Sequence, residues 1–308
     1  MKNKILSKNI LIKLAAAFAF IIIITMPQTA FKGALSGLNL WANIILPGLF
    51  PAMIISSCLL SLFPFGKSAS YLYIITTGIF CGYPIGSILC SNYNINNKNE
   101  TFCERIMAYI NISSPSFVMN YILSMTFAKD FNPVLIIICI YLPVAEMLLI
   151  QLFIYKKEKP LTLPPYKTAV KPAAGNSVSK KALDFNEILD NSIWTSINNV
   201  LKLGGYIVLF ACICRYIIEI GVFDELLTSI LCSVTEITNG ISLVDSLCIS
   251  SELKMVIILT SNAFGGLSTI MQTMGMINKS SLSIKKYIYH KIIFALVTMA
   301  NTIFMIYV

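Results

Sequence analysis

Charge is what this chain lacks. Only 12% of its 308 residues are charged, against roughly 25% in a soluble domain. So small a supply cannot cover a water-facing surface. Acids are scarcer than bases, 14 against 23, and histidine occurs once, at His290. No HExxH, nucleophile-elbow or P-loop pattern occurs, which removes the common hydrolase and nucleotide-binding chemistries. The chain is therefore not expected to be an enzyme, and no catalytic residue is assigned. The nine cysteines form no CxxC pair. Cys212 and Cys214, two apart on a helix, face different ways. They read as small buried apolar residues, so neither a metal site nor a cofactor is expected.

What the chain has is grease: 56% hydrophobic residues. Runs such as 14–26, 133–155 and 206–223 are long enough, or nearly so, to cross about 30 Å of hydrocarbon as helices. They are continuous rather than alternating, which disfavours a barrel. The net charge of +9 does not point to nucleic acid, because most lysines fall between the apolar runs, the positive-inside pattern of a membrane protein. The expected fold class is an all-α polytopic membrane protein in a lipid bilayer, with about seven transmembrane helices and two re-entrant helical hairpins.

The N-terminal lysines place that end inside. MPQTAFKGA after the first apolar run offers no convincing cleavage site, so the run is expected to be a retained span. Spans are then expected at about 10–26, 38–63, 69–90, 133–154, 204–222, 226–247 and 287–307, with Pro47 and Pro51 bending the second. Segment 155–181 holds seven lysines against Glu158 alone and should be cytoplasmic. Parity then requires 101–128 to enter and leave on one side. The same argument applies to 252–278, which precedes Lys279, Lys285, Lys286 and Lys291. Each segment carries a polar break between apolar limbs: Ser113-Ser114-Pro115-Ser116 in the first, Asn262 to Gly266 in the second. The two halves read as an inverted repeat, as in secondary transporters. Expected boundaries are an N-terminal helix at 1–37, a first repeat at 38–154, a basic cytoplasmic linker at 155–200 and a second repeat at 201–308.

A helix broken in hydrocarbon leaves N–H and C=O groups unpaired, so breaks persist where protein or a wet cavity supplies partners. Pro115 suits the first position of a new half-helix, with Ser114 or Ser113 as its cap. Helix N-termini there favour an anionic group. The expected binding set for a small anionic solute is Asn111, Ser113, Ser114, Ser116 and Asn120 from the first break. Asn262, Gly265, Gly266, Ser268 and Gln272 come from the second. Two further motifs, CGYPIGS (81–87) and TEITNGIS (235–242), would loosen the preceding spans. Glu236, a carboxylate at membrane depth, and Asn239 are candidates for ion or proton coupling. Arg215 and Glu219 can pair on one helix face. Glu104 and Arg105 read as an outer-surface pair, and His290 as a solvated histidine at a membrane edge.

The stretches GLNLWANIILPGLFP, GYPIGS, ERIMAYINISSPSF, EITNG and FGGLSTIMQT, in that order, resemble the YlbJ family of sporulation integral membrane proteins. That family belongs to the nucleoside-recognition or Gate-domain group, related to the concentrative nucleoside transporter fold. The likeness covers about 38–130 and 200–308. It departs at Ser113-Ser114-Pro115, where a Gly-Pro after a Thr-Ser pair is expected, and at Thr269-Ile270-Met271-Gln272, where only the glutamine matches. The resemblance implies a role in endospore formation and movement of a dipicolinate-like anion. A second copy or other sporulation membrane proteins are the partners it leaves open. The alternative is a non-transporting assembly protein whose basic loop recruits a partner.

Overall fold

In the computed structural model, described over residues 2–62, 67–158 and 185–307, the chain is all-α, with no strand among those residues. Helix α1 (Lys2–Thr25) leads into α2 (Pro27–Leu40) and α3 (Leu46–Leu62), which are joined by one wide turn at Trp41–Ile45. In that turn the Leu46 N–H reaches back to the Trp41 carbonyl, an i→i+5 bond that absorbs Pro47 without ending the helix. Next come α4 (Lys67–Cys81), α5 (Ile85–Asn97), α6 (Glu100–Ile110), α7 (Pro115–Asn120) and the long α8 (Pro133–Glu158). The second half holds α9 (Phe185–Ile220), α10 (Glu225–Thr235), α11 (Ile237–Ser246), α12 (Ser251–Phe264), α13 (Gly266–Ile277) and α14 (Ile284–Tyr307).

Among the described residues, five stretches are long and apolar enough to cross a membrane: Pro27–Leu59, Pro133–Ile154, Phe185–Ile220, Ser251–Ile277 and Ile284–Tyr307. Their outer faces carry large apolar side chains in the open, Leu149, Phe153, Leu209 and Leu296 among them. Lipid, not water, satisfies a surface of that kind. This is an all-α polytopic membrane protein. Residues 159–184, most of the expected basic linker, lie outside the described residues. The linker's last part, 185–200, is the first half of α9.

Two hydrophobic cores stack along the long helices. One gathers Tyr71, Tyr93, Phe102, Tyr109, Met147, Ile277 and Tyr287; the other gathers Val118, Phe127, Ile136, Ile241, Val244 and Met255. The broken segments run from one core to the other. In α6–α7, Phe102 to Ile112 belong to the first core and Val118 to Phe127 to the second. In α12–α13, Met255 to Leu259 belong to the second and Ala263 to Ile277 to the first. Their ends agree. Glu100 accepts from Ser281 at 2.8 Å, and Glu104 pairs with Lys286 at 2.5 Å. At the far end Asp130 bonds Ser251, and Asp245 accepts from the N–H groups of Thr126 and Phe127 at 3.0 and 3.1 Å.

The segments that fold back are the neighbours. Tyr71 of α4 and Tyr93 of α5 have ring centroids 5.6 Å apart, whereas 22 residues of straight helix would separate them by roughly 33 Å. A Cβ placed on Gly240 of α11 would lie 2.1 Å from the Ser233 Cα of α10, across seven residues that would span about 10 Å in one helix. Residues 67–97 and 225–246 thus fold back on themselves, while 101–128 and 252–278 run on from one core to the other. This reverses the assignment expected from charge parity. A hairpin followed by a crossing ends on the same side as a crossing followed by a hairpin, and lysine counts register only the sum. The polar helix α5, with Ser87, Ser91 and Asn94 buried, shows why it folds back: its partners are protein, not hydrocarbon.

Candidate solute cavity

The four interruptions meet between the two cores. At the first hairpin tip, Gly82 has φ +67°, and an added Cβ would lie 2.5 Å from the Ser114 nitrogen. Only glycine fits that conformation and that approach. The next N–H, of Tyr83, donates to the Ile112 carbonyl at 2.9 Å, so the tip supplies a partner to the unwound backbone of α6–α7. The Ser114 side chain accepts from the Phe117 N–H and caps α7, with Pro115 in the first turn, as the sequence implies. On the other side the α12–α13 break turns on Gly265, φ +84°, where a Cβ would sit 2.3 Å from the Tyr83 hydroxyl oxygen.

Between these groups lies a cavity of about 70 Å³. Its polar wall includes Ser113, Ser114, Ser116 and Asn120 from the first break and Ser268 and Gln272 from the second. Ile44, Leu49, Phe117, Leu203 and Ile207 form its apolar side. Gln272 is 2% exposed; its Nε2 donates to Ser268 at 3.3 Å, while its Oε1 has no partner. A buried acceptor without a partner marks a place where a water or a solute donor belongs.

Glu236 lines the same cavity and is 1% exposed. It is the N-cap of α11. Its carboxylate accepts from the Thr238 N–H at 3.2 Å and hydroxyl at 2.6 Å, and from the Asn239 N–H at 2.8 Å and Nδ2 at 2.7 Å. Four donors and the positive end of a helix hold the charge in place. Asn239 faces away, toward a separate cleft beside Lys32 and Arg215, where its Oδ1 accepts from Ser36 at 3.0 Å.

The remaining expected residues are built into the frame and do not line the cavity. Asn111 is fully buried. Its Oδ1 accepts from the Ser87 N–H at 3.3 Å, and its Nδ2 donates to Thr273 at 3.0 Å and Tyr287 at 3.1 Å. Asn262 accepts from the Ser113 hydroxyl at 2.6 Å. Gly265 and Gly266 form the turn itself.

The chain is similar to the sporulation integral membrane protein YlbJ of Bacillus subtilis (strain 168), 23% identical over an alignment of 324 positions that takes in 92% of this chain and 79% of that protein. That likeness agrees with the resemblance carried by the motifs GYPIGS, EITNG and FGGLS. No family model matches the chain, and no solved structure matches it.

Two residues beside the cavity have no place in the sequence-based expectation. Tyr83 lines it. Lys291 stands directly behind Tyr83, fully buried, its Nζ 2.8 Å from the Tyr83 hydroxyl and 3.1 Å from the Ala263 carbonyl. Counted among the edge lysines, it is instead part of the inner face of α14 with Tyr287, Phe294 and Thr298. That helical spacing was the available signal. His290 bonds the buried Tyr109 hydroxyl at 2.9 Å, so it is not a free surface histidine. Glu104, 7% exposed, is buried rather than on an outer surface and pairs with Lys286 at the α14 end, while Arg105 donates to Gln151 at 3.2 Å. Arg215 and Glu219 do pair, at 2.5 Å, and Glu146 accepts from Asn301 at 2.7 Å. Among the described residues, no cluster of three metal-ligating side chains occurs.

Proposed function

We propose that the chain is a permease-like membrane protein of endospore formation that moves a small anionic, dipicolinate-like solute through the cavity between its two cores. The supporting observation is the convergence itself. Two interrupted crossings and two hairpin tips, running in opposite directions in the two halves, close around one partly polar space. Discontinuous helices meeting in this way build the midplane sites of secondary transporters, and opposed repeats give such a site two symmetry-related gates. The sporulation role rests on the likeness to YlbJ. The anion preference rests on the α13 N-terminus, which has no side-chain cap, and on hydroxyl and amide donors at the breaks.

In this reading the hairpins are re-entrant, α4–α5 from the face that carries the N-terminus and α10–α11 from the opposite face. The N-terminus and the 159–184 segment are cytoplasmic, and the C-terminus lies outside, as the lysine distribution requires.

The test is uptake of pyridine-2,6-dicarboxylate by proteoliposomes carrying the purified chain. Gln272→Ala and Ser268→Ala should cut uptake about tenfold, the loss expected when a buried polar contact to solute is removed. Undiminished uptake by both would contradict the site. No uptake by the wild type, together with mislocalisation on deleting 159–184, would favour an assembly protein instead.

A further inference from the structure

Lys291 has no counter-ion: among the described residues no carboxylate lies within ion-pair distance of it. An ammonium taken out of water in this way is costly, and at membrane depth it marks function by default. Partial charges hold it instead. The Ala263 carbonyl belongs to the last turn of α12, the negative end of that helix. The rings of Tyr83, Phe294 and Tyr287 surround the ammonium with centroids at 5.0, 5.3 and 5.9 Å. Such contacts retain a cation without cancelling its charge.

The charge reaches the cavity through one side chain. A lysine ammonium only donates, so in the 2.8 Å bond the Tyr83 hydroxyl is the acceptor. Its own proton is then directed to its other side, where the Thr269 hydroxyl, the α12–α13 turn and the cavity lie. A hydroxyl that accepts from a cation becomes a stronger donor. Glu236, the acid of the same cavity wall, already accepts from four donors.

We infer that Lys291 keeps its proton in this setting and, acting through Tyr83, is the specificity-determining residue of the cavity. It binds the carboxylate of a small organic acid on the Tyr83 side, while the apolar body of the solute rests against Leu49, Phe117 and Ile207. Lys291 is a positioning residue that does not touch the solute. This rests on the carrier reading above and names the group that sets its selectivity.

The experiment compares wild type, Lys291→Met, Lys291→Arg and Tyr83→Phe in two assays. One is proteoliposome uptake of pyridine-2,6-dicarboxylate against its neutral diamide. The other is the thermal shift each compound produces in detergent. The wild type should be stabilised by the dicarboxylate and not by the diamide. Lys291→Met and Tyr83→Phe should lose that shift and raise the uptake KM about tenfold with maximal rate nearly unchanged, the signature of lost uniform binding. Lys291→Arg, which keeps the charge, should retain part of the preference. Tyr83→Phe keeps the ring and the packing, so it decides the matter if Lys291→Met fails to fold. An unchanged preference for the dicarboxylate in Tyr83→Phe, or in a folded Lys291→Met, overturns the inference. So does a wild type stabilised equally by both compounds or by neither. A selective shift in a wild type that shows no uptake would sink the carrier reading and leave this one standing.

Discussion

The Ser113 hydroxyl donates to the Asn262 Oδ1 at 2.6 Å, joining residues 149 positions apart. Ser113 lies in the break between α6 and α7 and Asn262 in the last turn of α12, and both are at most 5% exposed. The bond therefore ties the two halves of the chain together where their backbones are least regular. Ser113→Ala should cost about 1 kcal/mol, the usual net worth of a neutral hydrogen bond, and Asn262→Ala more, because it also opens a small void. A double-mutant cycle in detergent-solubilised protein should give a coupling of about 1 kcal/mol, since the two contact directly. Additive effects would mean the bond does not form.

Glu236 behaves as a structural cap that happens to face the cavity. Glu236→Ala removes the acceptor for two backbone N–H groups and two side-chain donors. It should destabilise the chain by about 2–3 kcal/mol, the loss of a strong N-cap plus buried donors left unpaired. Glu236→Gln keeps one oxygen but turns an amide N–H₂ toward donors, and should fall between Ala and wild type. Equal stability of all three, read by thermal unfolding, would remove the cap and restore a purely functional acid.

Glycine substitutions separate the turns from ordinary helix. Gly82→Ala meets both a left-handed φ and a backbone nitrogen at 2.5 Å. It should cost about 2 kcal/mol or more, since the conformation alone costs about 1–2 kcal/mol. Gly205 in α9 has nothing within 4 Å of a new Cβ, so Gly205→Ala should stabilise by about 0.5–1 kcal/mol. Opposite signs in one thermal-shift series are the expected outcome. A tolerated Gly82→Ala would mean the first tip is not closed against Ser114.

Much of this was readable from residues alone, and the failures have physical causes. The membrane class followed from scarce charge and long apolar runs. The interruptions at Ser113-Ser114-Pro115 and at Gly265 followed from the chemistry of caps and left-handed turns, and both fall where the helices break. The direction of the chain on either side did not follow. Whether a segment turns back depends on partners far away in sequence, such as Tyr71 against Tyr93 and Ser233 against Gly240, and side-of-membrane bookkeeping is blind to exchanging a hairpin with its neighbouring crossing. The motifs GYP and TEITNG were singled out as loosened spans, one step short of being turns. Lys291 was lost among lysines of the same short stretch, although its register with Tyr287 and Phe294 set it apart. Sequence also does not reveal that Thr273, Tyr287 and Ser113 bond Asn111 and Asn262.

The central claim is that 101–128 and 252–278 cross the membrane while 67–97 and 225–246 turn back within it. Single cysteines at Lys98, Thr101, Phe131 and Ser280, in a background where exposed Cys248 is serine, can be probed in sealed vesicles with a membrane-impermeant thiol reagent. Positions 98, 101 and 280 should label from one side and 131 from the other. Labelling of 101 and 131 from the same side would contradict the account.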